Sequence, residues 1–175
     1  MRNRILVALA LSSLCITHAW AQGQLDLDRL EEKLSQHIET KEPGWTHRRG
    51  VPMSHSSNVL IEVWSSSEQG VTIQIVPYKS AQEARKVLEG FIKYENDKEE
   101  VKGLGDEAYI WGVRRANVVF TRGRFVVYVE AGVNIDADPN ARKLSGPERS
   151  EREKAEVKQL SREFAKHMVD AIDLP

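Results

Sequence analysis

Residues 71–78 (VTIQIVPY) set Val71, Ile73 and Ile75 on one side of the chain and Thr72 and Gln74 on the other. A side-chain period of two describes a strand with one face buried. A β-branched apolar run, 58–64 (NVLIEVW), precedes it across six mostly polar residues, 65–70. So short a connection predicts an antiparallel hairpin, because parallel neighbours need a crossover of a dozen residues or more. Pro77 marks the end of the second strand, since it has no N–H to give the ladder. Three further strands are expected at 107–113, 117–121 and 125–131, joined at Arg114-Arg115 and at Arg122-Gly123. Gly123 there supplies the positive φ of a tight turn.

Helical periodicity fills the intervals. Leu27, Leu30, Leu34 and Ile38 recur on one face of a helix over 28–41, with Asp28 and Glu31 as its start signal and Pro43-Gly44 as its end. Ser80 and Glu83 form a capping box for a helix over 81–94 whose apolar face holds Ala84, Val87, Leu88, Phe91 and Ile92. A last helix is expected over 148–172, with Val157, Leu160, Phe164, Met168 and Ile172 as its stripe. The stretch 44–57 reads as loop with room for one short strand, and the charged run 97–100 as a solvated linker. The expected order is α-ββ-α-βββ-α: an α+β fold with an antiparallel sheet of about five strands packed by three helices in two or three layers.

The amino-terminal residues read as an address. Arg2 and Arg4 precede an apolar run, 5–17, and Ala19-Trp20-Ala21 offers small residues at both positions that a signal peptidase reads. Residues 1–21 are therefore expected to be a secretory signal, and 22–175 a single domain in the periplasm or outside the cell. The apolar run is too short to span a bilayer, so no stable membrane insertion is expected once it is removed. Cys15 is preceded by Ser12 and Leu14 in the wrong order for lipid attachment, and leaves with the leader. Loss of Arg2 and Arg4 moves the formal net charge from −1 to −3 and leaves no cysteine. Thiol chemistry is thereby excluded, and so is general attraction to nucleic-acid phosphate. At about 150 residues, apolar burial without disulfides is sufficient.

No catalytic signature emerges. Gly103-Leu104-Gly105-Asp106-Glu107-Ala108 fits a dinucleotide-binding pattern, but it leads into a strand rather than a helix and reads as a turn. Asp136, Asp138 and Asn140 have the spacing of half a calcium loop, yet its sixth and twelfth positions fall on Ala141 and Pro147. His37, His47, His55 and His167 show no zinc spacing, and the serines of 54–67 lack a nucleophile elbow. No metal or cofactor is expected. Arg114, Arg115, Arg122 and Arg124 cluster around the second β region and are the candidate partner-binding residues. Basic residues at a strand edge also block aggregation without any ligand. Trp64 is the apolar candidate: it is core if helices cover both faces of the sheet and a binding patch if they do not.

Between residues 44 and 131 the chain resembles a family of exported bacterial proteins of unknown function. The likeness rests on Gly44-Trp45, the hairpin ending Val76-Pro77-Tyr78-Lys79, the Ser80–Ala84 helix start, the Gly103–Tyr109 segment and the hairpin over 117–129. The Gly-Leu-Gly-Asp-Glu-Ala element followed by a basic turn also resembles exported domains with the PsbP-like α/β/α sandwich. The resemblance implies a fold and an exported location and brings no activity with it. The lipid-anchored members differ, because Cys15 here lacks their signal.

The expected function is that of an exported, cofactor-free interaction or ligand-binding domain for a protein or small molecule. The alternatives are a hydrolase assembled from distant residues, such as Asp106 or Glu107 with His47 or His55, and an envelope protein that oligomerises through a strand edge.

Overall fold

The computed structural model describes residues 26–52, 58–112 and 116–174. A first helix, α1 (26–41), precedes strands β1 (Thr46–Arg49), β2 (Leu60–Ser65) and β3 (Gln69–Pro77). Helix α2 (Ala81–Ile92) leads to β4 (Glu99–Glu100), β5 (Glu107–Trp111), β6 (Asn117–Arg122) and β7 (Phe125–Val133). Two 3-10 turns, Ile135–Ala137 and Ala141–Lys143, then carry the chain into α3 (Gly146–Asp173). The sheet is antiparallel throughout, in the order β1-β2-β3-β7-β6-β5-β4.

The fold is α+β with three helices, as expected, but the sheet has seven strands among the described residues instead of five. The two additions are its edges. β1, with sequence Thr-His-Arg-Arg, is exposed at every residue, and β4 is two glutamates. Neither has the alternation that identifies a strand, because an edge held by a neighbour's backbone needs no apolar face of its own. The long strands β3 and β7 meet at the centre over nine residue pairs, from Gln69 opposite Val133 to Pro77 opposite Phe125.

Helices cover both faces. Leu27, Leu30, Leu34 and Ile38 of α1 join Val157, Phe164 and Met168 of α3 over Leu60, Trp64, Ile73, Val127, Val129 and Phe120. On the other face α2 lays Ala84, Leu88 and Ile92 on Val119 and Val126. Fully burying one side chain of this size contributes about 1.5–3 kcal/mol. Trp64 lies in the first layer with no exposed surface, so it is core and offers no patch to a partner.

Local signals hold with small shifts. Ser80 Oγ accepts the Glu83 N–H at 3.2 Å, while the Glu83 carboxylate takes the Lys79 N–H. α2 stops at Ile92, two residues short of the expected end, and leaves Phe91 half exposed. α3 begins two residues early, with Glu148 accepting the N–H of Ser145 at 2.9 Å. Asp28 and Glu31 do not start α1; they lie inside it. Gly105 has φ +60, and a Cβ there would sit 2.4 Å from the Thr121 carbonyl oxygen, so the Gly-Leu-Gly segment is a turn pressed against β6. Among the described residues no helix is long and apolar enough to cross a membrane.

Candidate functional site

The arginines singled out by sequence are engaged where the structure describes them. Arg122 holds Asp173 through two nitrogens, at 2.8 and 2.6 Å, and Asp106 through a third at 3.0 Å. Asp106 also accepts the Gly123 N–H at 2.7 Å, which locks the β6–β7 turn. Arg124 pairs with Asp26 of α1. These pairs tie the turn to α3 and α1, so Arg122 and Arg124 act first as structural ties. Arg114 and Arg115 lie outside the described residues, as does His55. Asp106 and Glu107 are also committed, Glu107 to the Tyr109 hydroxyl at 2.9 Å and to Arg85 at 3.5 Å, and no contact brings either to His47. The Asp136–Asn140 segment is the end of a 3-10 turn followed by an Asx turn at Asp138. Asp138 accepts the Asn140 N–H, and Arg149 and Arg152 of α3 neutralise Asp136 and Asp138.

A different set of groups converges where α1 packs beside β1. The β1–β2 register places His47 opposite Trp64 and Arg49 opposite Glu62, all on the face turned to α1. α1 answers with a polar stripe at helical spacing, Asp28, Glu31, Ser35 and Glu39. Arg49 reaches Glu31 at 2.8 Å and Asp28 at 3.4 Å. The His47 ring stacks on Trp64 with centroids 4.6 Å apart, and its nitrogens lie 3.3 Å from Ser35 Oγ and 3.7 Å from Glu39.

Beneath this layer sits Glu62, fully buried between Leu60 and Trp64. Neither of its carboxyl oxygens has a hydrogen-bond partner among the described residues, and neither does Trp64 Nε1. The nearest imidazole nitrogen, His47 Nε2, is 3.9 Å away. Burial lifts the Glu62 acid from 4.5 to about 7; the charge of Glu31 and the approach of its carboxylate to the Glu62 carboxyl add to the rise, and Arg49 opposes it. The group therefore gains or loses its proton near neutral pH. The apolar alternation of β2 conceals this residue in sequence, where Glu62 reads as the face of Trp64 and nothing more.

A second polar cluster joins α1 and α3. His167 Nε2 lies 3.1 Å from Glu42, His167 Nδ1 lies 3.4 Å from His37 Nε2, and Glu163 stands one turn before His167 on α3. Two surface grooves lie elsewhere. One lies between Trp111, Ala116 and α3 at Lys154–Lys158, and another between 100–104 and Arg162 and Lys166. Neither is lined by His47 or Glu62. Comparison with protein-family models, with curated proteins and with solved structures returns no match.

Proposed function

We propose that this chain is an exported interaction domain that takes an extended, acidic segment of a partner protein along the free edge of β1. The observation that carries the reading is the direction of the β1 backbone. The Gly50 N–H bonds the Ile61 carbonyl at 2.7 Å, so Gly50, Arg48 and Thr46 face β2. By alternation, His47 and Arg49 point their N–H and C=O groups away from the sheet. Among the described residues these groups are unpaired, and such a row is the template that strand addition uses, with main-chain bonds giving affinity and side chains giving selectivity. The side chain that would meet an acidic partner is the exposed Arg48, which no ion pair holds among the described residues; Arg49 is already paired with Glu31 and Asp28, and His47 is stacked on Trp64. The opposite edge, β4, is two residues long and acidic, with Glu99 held by Lys158 at 2.7 Å.

The leader-like start and the resemblance of 44–131 to exported proteins support the location. Amino-terminal sequencing of protein recovered from the envelope fraction should begin at Gln22. A start at Met1 removes the export part of the proposal.

The edge is tested with a synthetic peptide of alternating Glu and Val, followed by amide hydrogen exchange. The peptide should slow exchange at His47 and Arg49. Arg49→Pro deletes one outward donor without taking a bond from the β1–β2 ladder, and should abolish that protection. Protection that survives in Arg49→Pro, or that never appears at these two amides, rules out the edge. Should the chain instead associate with itself through β1, light scattering will show a multimer that Arg49→Pro returns to a monomer.

A further inference from the structure

We propose that Glu42, Glu163 and His167 form a site for one divalent transition-metal ion, zinc fitting best, with a coordination position open to solvent. The site is separate from the β1 edge, and it departs from the sequence expectation of a chain without metal.

The ligand types come first. One imidazole and two carboxylates make a donor set that suits zinc, and three protein ligands leave a fourth position for water or a substrate. Glu163 and His167 stand four residues apart on α3 and so share one face. Glu42 arrives from just beyond α1, where its N–H bonds the Ile38 carbonyl at 2.7 Å. Its carbonyl accepts the Trp45 N–H at 3.2 Å, and the Trp45 ring packs on Phe164 of α3 with centroids 4.7 Å apart. The loop that carries Glu42 is thus fastened to the helix that carries the other two ligands.

Distances agree with this assignment. One ligand atom from each of the three residues lies within 4.8 Å of the other two. The Glu42–His167 Nε2 separation of 3.1 Å is close to the edge, roughly 3.3 Å, of a tetrahedron with zinc bonds of about 2.0–2.1 Å. His167 is held in place from behind. Its ring meets Phe164 edge-on at 5.8 Å, and its side chain is 12% exposed. Its Nδ1 faces His37 Nε2 at 3.4 Å, so an Nδ1–H donated to His37 leaves the Nε2 lone pair directed at Glu42. Metal-binding histidines are regularly fixed by such an outer partner, here making His37 a positioning residue.

The test is calorimetric titration of the tag-free, chelator-stripped protein with zinc chloride. One equivalent should bind with micromolar or tighter affinity. Glu163→Gln and His167→Gln should each weaken binding at least about tenfold, and His37→Phe by about tenfold, with circular dichroism unchanged. Glu163 is exposed, so its variant decides the matter even if His167→Gln fails to fold. Cobalt in place of zinc should give visible bands that Glu163→Gln abolishes. Absence of saturable zinc binding, or binding that Glu163→Gln leaves unaltered, overturns the site.

Discussion

The β6–β7 turn and the β1–β2 edge are both built from charged residues facing a helix, yet they treat charge in opposite ways. At the turn every charge named has a partner: Arg122 holds two aspartates, Asp106 holds Arg122 and the Gly123 N–H, and Arg124 holds Asp26. At the β1–β2 edge the outer shell is paired, Arg49 with Glu31 and Asp28, but the Glu62 carboxyl and the Trp64 N–H beneath it have no hydrogen-bond partner among the described residues. Buried polar groups are nearly always bonded, so two unbonded ones under β1 mark a place where packing gives up stability among the described residues. Complete pairing at the turn indicates the reverse. It holds three segments of the chain in register and leaves little for a ligand to take.

The largest expected effect probes the Gly103–Gly105 segment, which presses on β6 and delivers Asp106 to the β6–β7 turn. Gly105→Ala forces a Cβ to 2.4 Å from the Thr121 carbonyl oxygen at a positive φ, and should cost about 3 kcal/mol or more in urea denaturation at any pH. A cost near zero would mean that the turn is slack and the contrast between the two regions unfounded.

Next comes Glu62, whose effect depends on pH. The folded chain keeps this proton up to about pH 7, whereas the unfolded chain releases it near 4.5. Between those values the folded state binds more protons, so stability falls as pH rises from 4.5 to 7 and stays low above. The loss is on the order of 3 kcal/mol. Glu62→Gln should remove this dependence and be the more stable protein at pH 8. Equal slopes for the two proteins would show that Glu62 has found a partner after all.

The smallest effect belongs to Arg122→Ala. Its pairs are partly exposed, so the thermal midpoint should drop by only roughly 2–5 °C, and by less at high salt. A collapse of the fold would give the turn far more weight than solvent-screened pairs carry.

Much of the fold was readable because its cause is local. The leucine stripe of α1, the capping serine of α2 and the alternation of β3 each report a neighbourhood of a few residues, and each appears where expected. β1 was legible only as room for one short strand somewhere in 44–57, and β4 escaped altogether, because their strand character belongs to the neighbours that hold them. The sites escaped for a stronger version of the same reason. Glu62 meets His47 only through the β1–β2 register, and His167 meets Glu42 and His37 across 125 and 130 residues of chain. The arginines invited attention through their density in sequence, which reveals nothing about the aspartates that α1 and α3 bring to them.

The central pairing of β3 with β7 has a consequence for how this molecule is made. The sheet's middle seam joins residues near 70 to residues near 130, so β3 gains its main neighbour only after β7 has been made. Loop closure of that length is slow relative to hairpin formation. A nascent chain cut short before Phe125 would present the bare flank of β3 to anything nearby. The seam can close only once Val133 has been made, and until it shuts the flank of β3 is open to pairing with another chain.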